Sequence, residues 1–305
     1  MAQIAIIGAG NVGANSAFFI AERNIGDVVM YDIQEGLATG KALDMMEAAP
    51  IRGYQHGIRG TDRFDDVLDT DVAVMAAGTG RVPGIKREDL FVKNIELIDH
   101  LAADLAGYKG TVILATEPVD LMVMRFQEKS GLPPSRVLGL GGALDSTRLR
   151  FFLGRALGIT TENISATVIG RHSDEMIVPL EYCRVSGVPV SHLMEQDDIE
   201  SVINETRTAG DVIVEMSQRA SSFYGPSAVA ADVVEGVIRD TGRVLPVSFV
   251  WDGEGHYGIS GVAMSLPAVL GFAGITRAMD PALQDNQIAT LRSSADELRR
   301  IYGSV

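Results

Sequence analysis

Short apolar runs alternate with longer amphipathic segments through the first half of the chain. Each run is short and continuous, which is typical of a strand buried on both faces of a sheet. The predicted strands lie at residues 4–7, 28–31, 72–76, 112–115 and 137–138. Helical spacing predicts helices at 12–23, 36–48 and 88–105, with Pro50 expected to end the second of them. This alternation predicts an α/β fold with a doubly wound, Rossmann-type parallel sheet.

Beyond about residue 142 the pattern changes to longer helices and strand-like pairs. Helices are predicted at 198–219, 227–240 and 286–302, and strands at 244–250 and 258–262. Such a segregated arrangement predicts a mixed α+β domain. We therefore expect two domains, 1–142 and 143–305, packed against each other. Clefts between domains are common sites for small ligands.

The chain is acidic, with 26 Lys and Arg residues against 40 Asp and Glu residues and a formal net charge of −14. This surplus disfavours nucleic acid and anionic membrane surfaces as partners. The single cysteine, Cys183, cannot form an intramolecular disulfide and is typical of a reducing compartment. We expect neither a signal peptide nor a membrane span, and hence a soluble cytoplasmic protein. No metal site is predicted.

A glycine-rich segment follows the first predicted strand and opens the first predicted helix. Residues 8–13 read Gly-Ala-Gly-Asn-Val-Gly, the spacing of a dinucleotide-binding turn. Gly8 would permit the turn, Gly10 the approach of a pyrophosphate, and Gly13 the packing of helix on strand. Asp32 follows the second strand, where a carboxylate accepts hydrogen bonds from ribose hydroxyls and would repel the extra phosphate of NADP. NAD is therefore the predicted cofactor.

Candidate chemistry lies at the start of the second half. Asp145 and Arg148 occur together in the segment 144–148, Leu-Asp-Ser-Thr-Arg, and His172 follows downstream. A carboxylate bonded to one imidazole nitrogen fixes the tautomer and leaves the other nitrogen to exchange a proton with a hydroxyl group. A guanidinium binds a carboxylate through two parallel hydrogen bonds. The trio predicts acid–base chemistry on an anionic substrate.

The order and spacing of these motifs resemble the lactate/malate dehydrogenase family nearly end to end. The segments 81–87, Arg-Val-Pro-Gly-Ile-Lys-Arg, and 118–120, Pro-Val-Asp, add to the resemblance. From the glycine motif and the resemblance together, the predicted cofactor-binding residues are Gly8, Gly10, Asn11, Val12, Gly13, Asp32, Gly78 and Asn94. The resemblance also implies a homo-oligomer, either a dimer or a tetramer.

The resemblance further implies roles for individual side chains. His172 would be the catalytic acid and base, and Asp145 its orienting partner. Arg148 would bind the C1 carboxylate of the substrate. Arg87 would lie on a mobile loop that closes over the substrate and polarises the reacting carbonyl.

Arg81 is the residue on which the substrate prediction depends. In this family, glutamine at the corresponding place resembles the lactate dehydrogenases and arginine resembles the malate dehydrogenases. A second cation matches the second carboxylate of malate or oxaloacetate and would be left unpaired by pyruvate. Ser222 lies in a segment that resembles the substrate-pocket wall of the malate-type members. We predict reversible hydride transfer between (S)-malate and NAD; the alternatives are another 2-hydroxy acid such as lactate, or a catalytically weakened NAD-binding protein.

Glu117 departs from the family pattern, which usually has asparagine before this proline. An ionised carboxylate cannot donate a hydrogen bond, adds negative charge beside an anionic substrate, and would favour a protonated His172. Three interpretations stay open. Glu117 is protonated in the closed site, it pairs with a cation such as Arg171, or it weakens malate turnover and marks a divergent substrate or an altered protein. Ser173 also replaces the glycine that usually follows the histidine.

Overall fold

The computed structural model describes residues 1–82, 84, 87–218, 222–252 and 256–305, with the backbone alone at 87 and 88. The strands of the first half are β1 (Gln3–Ile7), β2 (Asp27–Tyr31), β3 (Ile58–Thr61), β4 (Val72–Met75), β5 (Thr111–Leu114) and β6 (Val137–Gly139). The helices of this half are α1 (Asn11–Glu22), α2 (Leu37–Arg52), α3 (Asp65–Leu68), α4 (Arg87–Asp104) and α5 (Val119–Ser130).

These six strands are parallel and lie in the order β3-β2-β1-β4-β5-β6. Every residue of β4, β5 and β6 is buried, as expected for strands covered by helices on both faces. The chain direction across the sheet reverses between β1 and β4, and ligands of doubly wound folds bind in the crevice at such a switch point. The predicted Rossmann-type sheet is therefore confirmed.

The second half comprises α6 (Gly141–Leu157), β7 (Ile164–Ser165), β8 (Arg184–Val185), β9 (Val188–Pro189), α7 (Gln196–Ser217), α8 (Tyr224–Ile238), β10 (Val244–Val250), β11 (Ala263–Gly271), β12 (Gly274–Ala278) and α9 (Asp285–Tyr302). Strands β10–β12 are antiparallel, and β10 joins β6 through the pair Ser248 and Gly139. The result is one nine-stranded sheet with a separate three-stranded sheet of β7–β9. The boundary between 1–142 and 143–305 stays a prediction.

Two local predictions were wrong. Helix α2 continues past Pro50 to Arg52, although proline lacks the N–H that would bond the carbonyl oxygen of Met46. The segment 258–262 is not a strand, since Gly258 and Gly261 have φ angles of 72° and 70°, outside the extended region. Strand β3 was missed because it is a short edge strand in which only the two end residues are buried.

A second, smaller core lies around α6, α7 and the β7–β9 sheet, and it includes Leu149, Leu153 and Cys183. Burial raises the pKa of the Cys183 thiol to about 11, so this cysteine acts as a small apolar core residue. Among the described residues, no helix combines the length and the apolar content that crossing a bilayer requires.

Candidate active site

The turn between β1 and α1 has the geometry that the glycine motif predicts. Gly8 has a φ angle of 98°, and an added Cβ would lie 2.6 Å from the backbone nitrogen of Ala77. At Gly13 a Cβ would lie 1.9 Å from the carbonyl oxygen of Gly8, so only glycine permits this packing. At Gly10, in contrast, no described atom lies within 4 Å of an added Cβ. The chain is closely packed at Gly8 and Gly13, and open at Gly10, where a ligand would approach.

Two cavities meet at Gly10. One of about 340 Å³ extends towards Asp32 and Asn94. The other, of about 420 Å³, extends over Asn11 and Val12 towards Glu117 and is called the substrate-side cavity below. Among the described residues, the N-terminus of α1 has no side-chain cap, so its N–H groups remain available to an anion. This donor set fits the pyrophosphate of a dinucleotide.

Asp32 is held in place by the backbone around it. Its Oδ2 accepts the N–H of Ala9 at 2.8 Å, and its Oδ1 accepts the N–H of Gln34 at 2.9 Å. Each carboxylate oxygen has a further lone pair, so the ribose hydroxyls can still donate to it. The bond from Ala9 also connects Asp32 directly to the glycine-rich turn, which follows the neighbouring strand β1.

Asn94 and Gly78 shape the wall between the two cavities. The buried Asn94 side chain accepts the N–H of Thr79 at 2.7 Å and donates to the carbonyl oxygen of Glu117 at 2.9 Å. At Gly78, with a φ angle of 143°, an added Cβ would lie 2.7 Å from Cγ2 of Thr116. These contacts fix the loops after β4 and β5, while a direct contact of either residue with the cofactor stays a prediction.

The structure brings the predicted acid–base pair together. Helix α6 places Asp145 and Arg148 one turn apart, with Oδ1 of Asp145 at 3.5 Å from Nη1 of Arg148. The other carboxylate oxygen, Oδ2, lies 2.6 Å from Nδ1 of His172. The imidazole is buried, with 6% of its side chain exposed. Asp145 therefore orients the ring and leaves Nε2 as the nitrogen that can exchange a proton.

Asp120 holds the backbone of the same histidine. It accepts the N–H of His172 at 2.7 Å and the hydroxyl of Ser248 at 2.6 Å. Burial raises the pKa of this carboxyl above its usual range, although both hydrogen bonds oppose the shift. From the sequence, Asp120 was indicated only as part of the family segment 118–120. An acid in the first turn of a helix, two residues after Pro118, was the available signal.

Glu117 lies on the opposite side of the imidazole from Asp145. Its Oε1 is 3.8 Å from Nε2 of His172, and about one third of its side chain (35%) is exposed. Two carboxylates thus flank one ring, and the expectation that they favour a protonated His172 stays a prediction. Arg171, the cation proposed as a partner for Glu117, forms an ion pair with Glu175 at 3.6 Å. The peptide bond between Glu117 and Pro118 is cis.

Arg81 lies at the edge of the substrate-side cavity and pairs with Asp211 on α7. The preceding residue of α7, Gly210, faces the other arginine, since an added Cβ there would lie 3.6 Å from Nη2 of Arg148. One turn of α7 therefore pairs with the guanidinium of Arg81 and lies close to that of Arg148. Ser222 lines the same cavity as Arg81 and Glu117.

The remaining predictions fall partly outside the described residues. Arg87 begins α4, but its side chain is not described, so its role towards the substrate stays a prediction. The mobile loop implied for residues 81–87 includes Pro83, Ile85 and Lys86, which also lie outside the described residues.

Comparison with known proteins identifies the family. The family model for the lactate/malate dehydrogenase NAD binding domain matches residues 2–139, and the model for the lactate/malate dehydrogenase alpha/beta C-terminal domain matches residues 142–304. The malate dehydrogenase of Rhodopirellula baltica is 37% identical over 309 residues, covering 100% of this chain and 97% of the relative.

Solved structures agree with the sequence matches. The malate dehydrogenase of Cryptosporidium parvum superposes with a TM-score of 0.96 at 32% identity, covering 99% of this chain and 98% of that one. The lactate dehydrogenase of the same organism, solved with lactic acid and nicotinamide adenine dinucleotide, gives a TM-score of 0.94 at 32% identity, covering 99% and 97%. Together with the glycine-rich turn and the His172–Asp145 pair, these matches show that the chain belongs to the lactate/malate dehydrogenase family.

Proposed function

We propose that this protein is an NAD-dependent malate dehydrogenase that interconverts (S)-malate and oxaloacetate. Two observations support the proposal: Asp145 contacts both His172 and Arg148, and Arg81 lies at the edge of the substrate-side cavity, which begins at the glycine-rich turn. The names of the sequence relatives support malate over lactate.

The acid–base step uses Nε2 of His172. In the oxidative direction this nitrogen accepts the proton of the C2 hydroxyl, and Asp145 stabilises the resulting imidazolium through Nδ1. Bound NAD supplies the acceptor for the hydride that leaves C2. In the reductive direction the imidazolium returns its proton to the carbonyl oxygen. Burial of the ring limits proton exchange with solvent and strengthens the interaction with Asp145.

The arginines orient the substrate. Arg148, with 14% of its side chain exposed, would bind the C1 carboxylate, and Arg81 would bind the distal carboxylate. Arg87 would polarise the reacting carbonyl. Gly8, Gly10 and Gly13, with the N-terminus of α1, would hold the pyrophosphate of the cofactor, and Asp32 the ribose hydroxyls.

A panel of 2-keto acids with NADH and NADPH tests the proposal. We expect oxaloacetate with NADH to give the highest kcat/KM, at least about 100-fold above pyruvate, because pyruvate has no distal carboxylate to accept hydrogen bonds from Arg81. A preference for pyruvate would instead support the lactate alternative. Absence of turnover with every keto acid at saturating NADH would support a non-catalytic NAD-binding protein.

Replacing Glu117 by asparagine is expected to raise kcat/KM for oxaloacetate at neutral pH about five-fold. Asparagine can donate a hydrogen bond, and the replacement removes a negative charge that repels the carboxylates of the substrate. Two unit charges about 4 Å apart interact by roughly 1 kcal/mol in water. Glu117→Gln, which removes the charge but keeps the length, should recover part of the gain. An unchanged or lower value in Glu117→Asn would contradict this expectation.

We also propose that the protein forms a homo-oligomer. Several large apolar side chains are exposed around an apolar cavity of about 450 Å³ between α6, α7 and α8, and on α2. They are Phe151, Ile213, Tyr224, Leu43 and Ile51. Exposed apolar surface of this kind favours association. Sedimentation of the purified protein tests this, and a monomer at micromolar concentration would contradict it.

A further inference from the structure

Arg81 is held by a residue that no motif in the sequence indicates. Its Nη1 donates to Oδ1 of Asp211, which lies 130 residues further along the chain, on α7. The guanidinium is mostly covered, with 21% of its side chain exposed, whereas Asp211 is about half exposed at 48%. The pair lies where the substrate-side cavity meets a charged cavity of about 680 Å³ that Asp211 also lines.

Arg81 needs a partner to adopt one orientation. It lies in the loop after β4, and an arginine side chain without a partner there would sample many rotamers. The bond to Asp211 uses one of the five N–H donors of the guanidinium. The remaining donors can still receive a carboxylate from the substrate-side cavity.

We propose that Asp211 is a positioning residue that orients Arg81 towards the distal carboxylate of a four-carbon dicarboxylate substrate. The inference rests on the proposed malate dehydrogenase function. Asp211 relates to Arg81 as Asp145 relates to His172: an acid on a helix fixes a basic group whose other side contacts the substrate. The preceding residue, Gly210, lies close to Arg148, so the same turn of α7 lies near both arginines.

Asp211 could instead compete with the substrate for Arg81. Its exposure decides against competition, since solvent screens the repulsion between Asp211 and a carboxylate on the far side of the guanidinium. The direct contact between Asp211 and Arg81 is screened less than this longer-range repulsion. Removing the charge of Asp211 should therefore weaken dicarboxylate binding.

The test compares Asp211→Asn with the matched control Asp296→Asn. Asp296 lines the same charged cavity but pairs with Arg299 at 2.8 Å, so its replacement removes an equal charge without altering the contact to Arg81. We expect Asp211→Asn to raise KM for oxaloacetate about five-fold, the upper end for a partly exposed pair. The values of kcat, KM for NADH and kcat/KM for pyruvate should stay within two-fold of wild type. Asp211→Glu should recover most of the loss.

A double-mutant cycle separates positioning from a general effect on stability. In an Arg81→Gln background, Asp211→Asn should leave KM for oxaloacetate unchanged. A KM that falls or stays the same in the single Asp211→Asn variant would overturn the inference, as would an equal rise in the Arg81→Gln background. If wild-type protein fails to reduce oxaloacetate, the proposed function and this inference both fail. If wild type is active and only the Asp211 result differs, the inference alone fails.

Discussion

Replacing His172 by asparagine is expected to lower kcat for oxaloacetate reduction about a thousand-fold. A positioned acid or base contributes roughly 10²- to 10⁴-fold to a proton-transfer step. Nε2 of His172 is the nitrogen available for this step, because Nδ1 is 2.6 Å from Asp145. Asparagine has a similar size but cannot exchange a proton near neutral pH. Steady-state kinetics with NADH measure the loss, and KM for NADH should change little.

His100→Asn is the matched control for this prediction. His100 is 76% exposed on α4 and is paired with Asp104, so its replacement should leave kcat unchanged. Asp145→Asn should also lower kcat, and the double variant with His172→Asn should be no worse than His172→Asn alone, because the two side chains act as a unit. Retention of more than about a tenth of wild-type kcat by His172→Asn would rule out the acid–base role.

Replacing Arg81 by glutamine is expected to lower kcat/KM for oxaloacetate about 100-fold. Truncating one partner of a hydrogen-bonded charge pair costs roughly 2–5 kcal/mol of binding free energy. Arg81 is partly exposed, so we expect the loss of its contact with the distal carboxylate to lie at the lower end of this range. Pyruvate has no distal carboxylate, so its kcat/KM should stay the same or rise. The ratio of the two kcat/KM values in one preparation is the measurement.

Arg81→Lys gives an internal comparison for the same prediction. Lysine keeps the positive charge but lacks the planar fork that binds a carboxylate through two bonds, so the expected loss is intermediate. If Arg81→Gln reduced oxaloacetate as efficiently as wild type, another cation would have to bind the distal carboxylate. The substrate assignment would then lose its main structural support.

The five strands of the first half that the sequence analysis identified could be predicted almost residue by residue. Strand β1, predicted at 4–7 and observed at Gln3–Ile7, is an example. A strand buried on both faces is apolar throughout, so it is visible in the sequence as a continuous hydrophobic run. Strand β3 has no such hydrophobic run, because an edge strand buries only part of its surface.

The pairing of the second-half strands could not be predicted in the same way. The pattern indicated strand at 244–250, and the structure confirms it. The joining of β10 to β6, which makes one continuous sheet of nine strands, depends on pairing between Ser248 and Gly139. The local hydrophobic pattern predicts which residues are buried, but it does not predict which strand pairs with which.

For the site, the sequence by itself determined which chemical groups are present and which cofactor motif precedes them. The glycine spacing and the types of His172 and Asp145 were sufficient for this, because turn geometry and side-chain chemistry are local properties. Only the tertiary structure decided which groups touch. The contact of Asp120 with the His172 backbone and that of Asp211 with Arg81 join residues 52 and 130 positions apart. Such contacts arise from how helices stack on the sheet, and no local pattern along the chain records that arrangement.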